Sequence, residues 1–164
     1  MFRYHPDPLA SGSVTASDAE CESCGRTRGY AYTGPTYAVD KVETLCPWCI
    51  ADGSAAATFE ASFTDVYGAP DDIPEEVLVE VAQRTPGFSG WQQERWLYHC
   101  GDATAYVGRI GWAEAEAVPG VAEMLTADGW AEAAHRHLSV DGDLVGYLFR
   151  CLHCGTELVY ADAA

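Results

Sequence analysis

Seven cysteines are the residues of this chain whose type and spacing can do chemistry. Four of them form two C-x-x-C pairs, Cys21-Glu22-Ser23-Cys24 and Cys46-Pro47-Trp48-Cys49, with 21 residues between. A tetrahedral zinc needs four thiolates about 2.3 Å away, and a two-residue gap lets one tight turn present two sulfurs to one ion. The spacing therefore predicts a zinc ribbon in which Cys21, Cys24, Cys46 and Cys49 hold one metal. Gly25, directly after Cys24, suits the sharp turn. A four-cysteine zinc is coordinatively closed. It contributes folding free energy, on the order of 10 kcal/mol in small zinc peptides, and leaves no position for a substrate. Two disulfides or free buried cysteines are the competing reading.

Cys100, Cys151 and Cys154 remain. Cys151-Leu152-His153-Cys154-Gly155 repeats the turn pattern of the first pair, and Cys100 stands where a strand meets a Gly-containing turn, so the three are expected to share a second zinc. Candidates for its fourth donor are His99, Asp102, His137 or water. Neighbours on a regular strand point to opposite faces, which disfavours His99 beside Cys100 unless the turn begins between them. With water as fourth ligand the site would keep an open position, the minimum for a metal-dependent hydrolase. No H-E-x-x-H signature is present, and Cys46-Pro47-Trp48-Cys49 lacks both the partner motif of a deaminase and the βαβ context of a thioredoxin.

The elements that must position these residues read as α+β. Tyr30–Thr33 and Thr36–Val39 are β-prone runs joined by Gly34-Pro35, a hairpin expected to bring the two pairs together. Ile50–Phe59 is alanine-rich and helical in pattern, and Pro74 starts a short helix bearing Val77, Leu78 and Val81 on one face. The first 18 residues, with Pro6 and Pro8, read as an extended arm in which His5 is an ordinary polar residue or a ligand. Strands are expected over Trp96–Cys100, Thr104–Gly108, Leu144–Phe149 and Leu158–Tyr160. Between the second and third of these strands, Val118 to Leu138 carries helical spacing, with His137 expected on the apolar face. This organisation divides into a zinc-ribbon region (1–62), a helix and aromatic-loop connector (63–94), and a β-rich C-terminal unit with inserted helices and a second, ribbon-like metal site (95–164).

Charge narrows the function. Nine Lys+Arg stand against 25 Asp+Glu, a formal net charge of −16, which repels nucleic acid and steers diffusion toward basic partners. Arg26 and Arg28 beside the first knuckle are too few to reverse that. From Asp65 to Glu80 there are six acids and no Lys or Arg, either a solvated face or a docking patch. The loop Arg84–Trp96, with Phe88, Trp91 and Trp96, either folds onto the core or forms a binding groove. No run reaches the roughly 20 apolar residues of a membrane span, and Met1–Pro8 has no signal-peptide character, so a cytoplasmic location away from membranes is expected. There, cysteines are metal ligands rather than disulfides.

Several motifs in order then carry a resemblance: Tyr4-His5-Pro6-Asp7-Pro8, Cys21-Glu22-Ser23-Cys24-Gly25, Cys46-Pro47-Trp48-Cys49-Ile50-Ala51-Asp52-Gly53, Arg84-Thr85-Pro86-Gly87-Phe88, Trp91-Gln92-Gln93 and His99-Cys100-Gly101-Asp102. Over nearly its full length the chain resembles the CbrC-like family of bacterial proteins. The resemblance implies no catalytic residues. It implies a role in tolerance of, or immunity to, a toxin such as an E-type nuclease colicin. The expectation is an acidic zinc-binding protein that protects its cell by binding a basic toxin nuclease domain, with the hydrolase at Cys100, Cys151 and Cys154 as the alternative.

Overall fold

A computed structural model describes residues 2–164. Strand β1 (Val14–Ala16) is followed by β2 (Glu20–Cys21) and β3 (Arg26–Thr27), which pair antiparallel around the first knuckle. Then β4 (Tyr30–Tyr32) returns antiparallel to β1, with Val14 opposite Tyr32. Helices α1 (Pro47–Ala51), α2 (Ser54–Phe59) and α3 (Glu75–Arg84) follow. The alanine-rich stretch expected to be one helix is two, because Gly53 at φ 80° interrupts it.

The expected hairpin between Tyr30–Thr33 and Thr36–Val39 does not form. Strand β4 takes β1 as its partner, and the second run makes a single bridge, Tyr37 to Ser62. Tyr32 explains the departure. Its ring packs edge-on against Phe63 at 5.5 Å, and its hydroxyl donates to the Pro35 carbonyl at 2.7 Å, which curls the chain around the ring. Pro35 also lacks the N–H that a ladder needs there. The same hydroxyl accepts from the Gly87 N–H at 3.1 Å. Only glycine fits at that crossing, since a Cβ on Gly87 would lie 1.9 Å from the Phe63 carbonyl oxygen.

The second half begins with a hairpin of β5 (Tyr98–His99) and β6 (Asp102–Ala103), and then enters β7 (Ala105–Ile110). Three short helices, α4 (Trp112–Ala115), α5 (Val121–Ala127) and α6 (Glu132–His135), lead to β8 (Leu144–Arg150) and β9 (Glu157–Ala163). Strands β7, β8 and β9 form an antiparallel sheet in that order. Period-two alternation assigns its two faces. Val145, Tyr147, Phe149 and Tyr160 join Tyr4, Phe88, Trp96 and Tyr106 in an aromatic core, with Phe88 stacked on Tyr106 at 3.9 Å. Leu144, Leu148, Val159 and Ala161 face the helices through Val121, Leu125 and Leu138. A register shift between Tyr106 and Gly108 reverses the alternation of β7, so Tyr106 enters the aromatic core while Ile110 enters the helical one.

Two histidines are not where pattern alone puts them. His137 is exposed, and His135 is the buried one, with Nε2 3.3 Å from the Trp130 carbonyl. The helical phase counted from Trp130 fails because α6 is a single turn. His5 is fully buried and holds no cluster of ligands. Its Nδ1 lies 2.7 Å from the Pro86 carbonyl and its Nε2 2.7 Å from Ser11 Oγ, and burial lowers its pKa to about 4. Nor is the N-terminus an extended arm: Tyr4 is fully buried, and its carbonyl accepts from the Tyr106 N–H at 2.8 Å. Among the described residues, no helix is long and apolar enough to cross a membrane.

Candidate functional site

The fold gathers two groups of side chains whose ligand atoms all lie within 4.8 Å of one another and could hold a metal ion: Cys21, Cys24, Cys46 and Cys49, and His99, Cys100, Cys151 and Cys154. All seven cysteines are in one group or the other, and none is disulfide-bonded.

The first group is built from two local structures. Cys21 and Cys24 flank the turn between β2 and β3, where the Gly25 N–H donates to the Cys21 carbonyl at 2.7 Å and Gly25 takes φ 62°. A left-handed backbone at that point costs glycine little. Cys46 and Cys49 come from the opening turn of α1, with Cys46 at the N-cap and Pro47 in the first turn, where a missing N–H is harmless. The Cys46 N–H donates to Cys21 Sγ at 3.2 Å, and the Cys46 and Cys49 sulfurs are 3.5 Å apart. Leu45, Ile50, Ala55 and Phe63 pack around the sulfurs, so this group is part of a hydrophobic core.

Electrostatics in this first group separates neighbouring thiols. Burial raises the Cys21 thiol, but N–H donors from Cys46, Cys24 and Ser23 outweigh it and bring the pKa down to about 7. Burial also raises Cys46, which reaches about 12. Thiolates are the metal-binding form, so a bound cation would supply the charge that four sulfurs in one pocket need. Arg28 contributes to the same balance. Hydrogen bonding to Cys46 raises its pKa, and its guanidinium lies over the Trp48 ring at 4.9 Å. The arginine that would have recommended nucleic-acid binding faces the cluster instead.

The second group combines the β5–β6 hairpin with a second knuckle. Its loop is Cys100-Gly101, both at positive φ (55° and 69°), the geometry of a two-residue hairpin turn that follows strand twist. The turn thus begins between His99 and Cys100, the condition under which neighbours can face one ion. His99 Nδ1 lies 3.2 Å from Cys100 Sγ and 3.5 Å from Cys154 Sγ, and those two sulfurs are 3.8 Å apart. Cys151 and Cys154 flank a turn closed by the Gly155 N–H to the Cys151 carbonyl at 3.1 Å, the same device as in the first knuckle.

Of the four candidates for the last donor, the structure brings in His99. The carboxylate of Asp102 is committed elsewhere: it accepts from Tyr4 Oη and Arg3 at 2.7 Å each, from the Ala103 N–H at 2.8 Å, and lies 2.8 Å from His153 Nε2. This network ties the N-terminal residues to both halves of the second group. The exposed His137 is outside the cluster.

Comparison with known proteins identifies the lineage. Residues 1–163 match the Uncharacterised protein family UPF0167. The chain belongs to that family. UPF0167 protein Mb2317 of Mycobacterium bovis and UPF0167 protein MT2352 of Mycobacterium tuberculosis are each 49% identical to it over 174 residues, spanning 100% of this chain and 93% of theirs. UPF0167 protein PA1536 of Pseudomonas aeruginosa is 46% identical over 163 residues, spanning 94% of this chain and 91% of its own. No solved structure matches the chain. The UPF0167 description assigns no activity, so it leaves the CbrC-like resemblance and the toxin link as matters for proposal.

In this UPF0167 chain, the sequence named His99 and Arg28 but could not assign their places. His99 could be selected only by knowing that Cys100 adopts a left-handed backbone, for which a cysteine gives no signal. Arg28 was legible as a cation, but its seat over Trp48 depends on β3 and α1 meeting in space.

Proposed function

We propose that this protein is a non-catalytic, two-site zinc protein that acts by binding a basic protein partner, a toxin nuclease domain being the partner its CbrC-like resemblance indicates. One observation carries the reading: with His99, each cluster offers four protein donors, and four donors close a tetrahedral zinc. The spacings support zinc. For bonds near 2.3 Å to sulfur and 2.0 Å to nitrogen, tetrahedral edges are about 3.8 Å for S–S and about 3.5 Å for S–N; the second group offers 3.8 Å for S–S with 3.2 and 3.5 Å for S–N, and the first a shorter 3.5 Å for S–S. Thiolate-rich tetrahedral sets favour zinc over harder cations. A cytoplasmic setting would keep these thiols reduced.

The charge of −16 supports the partner class, since acidic surfaces accelerate encounter with Lys- and Arg-rich proteins. The test is metal analysis of purified protein together with capture of partners from the native host at low and at physiological salt. Two zinc ions per chain and recovery of one basic nuclease support the proposal. An unloaded second cluster removes the two-zinc reading, and a tight complex whose on-rate ignores salt removes electrostatic docking.

A second reading, the metal-dependent hydrolase, is favoured by one feature: Cys100 and Cys154 are exposed, so solvent reaches the ion's position. It requires that Cys100→Ala abolish turnover of a tested substrate while the fold survives. Loss of zinc without any turnover to lose assigns the site to structure.

A further inference from the structure

A cleft of about 480 Å³, lined by none of the cluster residues, opens between the acidic loop after α2 and the strand entering β5. Its lining includes Asp65, Tyr67, Glu94, Trp96 and Tyr98. Its volume is in the range of sites that take small ligands or side chains.

Three features of this cleft are unmatched within the molecule. Glu94 is 4% exposed, and both its carboxylate oxygens accept from the single hydroxyl of Tyr37, at 2.9 and 2.8 Å. Among the described residues, no Lys, Arg or His lies within ion-pair distance of Glu94 or Asp65. Arg95, which also lines the cleft, is used elsewhere: it pairs with Asp128 at 2.6 Å and lies over the Tyr160 ring at 4.4 Å. Finally, Tyr98 keeps its hydroxyl buried with no hydrogen-bond partner among the described residues.

A buried carboxylate without a counter-ion is costly, and an orphaned hydroxyl adds to the cost. Burial pushes the Glu94 carboxyl above its ordinary range and the Asp65 charge adds to the rise, although backbone N–H groups and the Tyr37 hydroxyl oppose it. Asp65 cannot supply relief. It is itself anionic, held by the Tyr67 N–H at 2.7 Å and the Gln93 amide at 2.6 Å. What the cleft lacks is a cation with N–H donors, and Tyr67 and Tyr98 on its lining bring aromatic rings of the kind that attract one.

We propose that this cleft binds an alkylammonium or guanidinium group, with Glu94 and Asp65 as its counter-ions and the Tyr98 hydroxyl as an acceptor. The group could belong to a free small amine or to a Lys or Arg side chain of a protein. The site does not depend on the zinc reading or on the toxin reading, and its test leaves both intact.

The test uses the full-length protein with its metal, and two probes: agmatine, and an acetylated, amidated tetrapeptide of Arg and Lys. Binding is followed by calorimetry and by tryptophan fluorescence at physiological salt. Saturable binding of either probe is expected, weakened at least tenfold in Glu94→Gln and in Asp65→Asn, and several-fold in Tyr98→Phe, with circular dichroism and metal content unchanged. Glu123→Gln, on α5 and outside the cleft, controls for the general acidity of the chain and should leave affinity unchanged. Agmatine alone binding assigns the site to small amines; the peptide alone binding assigns it to a protein side chain. Failure of both probes, or equal loss in Glu123→Gln, overturns the proposal. Should Glu94→Gln fold poorly, Asp65→Asn and Tyr98→Phe decide it.

Discussion

Cys21, Cys24, Cys46 and Cys49 sit among Leu45, Ile50 and Phe63, with three of the four buried; in the other cluster Cys151 alone is buried, while Cys100 and Cys154 meet solvent. Both use a C-x-x-C-G knuckle closed by the same glycine N–H. They differ in what brings the second pair of donors. In the first cluster it is a proline-started helix packed in a core, so a metal bound there would form one cooperative unit with that core. In the second it is a two-residue hairpin tip, and none of its four donors belongs to the aromatic core. The same knuckle thus lies within a core in one place and at the surface in another.

The largest expected effect tests that cooperativity. Cys49→Ala should lose the first metal and unfold the N-terminal half, since a structural zinc contributes on the order of 10 kcal/mol, comparable to the stability of a whole domain. Metal analysis and loss of the Ile50 and Phe63 methyl and ring signals in NMR would record it. A variant that melts like the parent would make the two clusters equivalent and break the comparison.

Next in size is an acid-sensitive contact belonging to neither cluster. His5 binds protons less readily when folded, with a pKa of about 4, than when unfolded, near the ordinary 6.5. The unfolded chain therefore takes up more protons in that window, and stability falls as pH drops from 6.5 toward 4, by about 3 kcal/mol in all. His5→Asn should flatten this part of the pH profile relative to the parent. Parallel profiles for the two proteins would show that acid acts through groups other than His5.

Smaller effects sharpen the contrast at the exposed site. Cys154→Ser should release the second metal alone and lower Tm by no more than about 5 °C, on the scale of a one-site loss in a chain this long. In the parent, a chelator should strip the exposed site before the buried one, which competition against a chromogenic zinc indicator would resolve into two phases. The smallest effect concerns Cys100 at φ 55°. Both Cys100→Gly and Cys100→Ala remove the ligand, but glycine accepts that backbone, so its variant should melt about 3 °C higher than the alanine variant. Equal melting temperatures would mean that the turn relaxes once the metal is gone.

Much of the site was legible because ligand chemistry is local. The two C-x-x-C pairs, the knuckle glycines and the half-site at Cys151 and Cys154 are all set by residues within five positions of one another. Strands β8 and β9 were legible as short β-prone runs beside the Asp141-Gly142 turn and the Cys151–Gly155 knuckle, and α3 from Pro74 and its apolar face. The hairpin after β4 was misread because the ring of Tyr32 packs on Phe63, a contact that neither run encodes. His137 is exposed where the pattern expected it buried, and His135 is buried instead, because a one-turn helix resets the phase that periodicity extrapolates.

By itself, then, the sequence determined which sulfurs pair, that the chain is acidic, and that a mixed helix and strand fold would carry them, since each depends on composition or on short-range turn geometry. Tertiary structure decided which cluster became core and which became surface, that His99 completes the second, and that Glu94 lies buried without a cation. Those are outcomes of burial, and burial is fixed by long-range packing of apolar side chains, which no window along the chain contains.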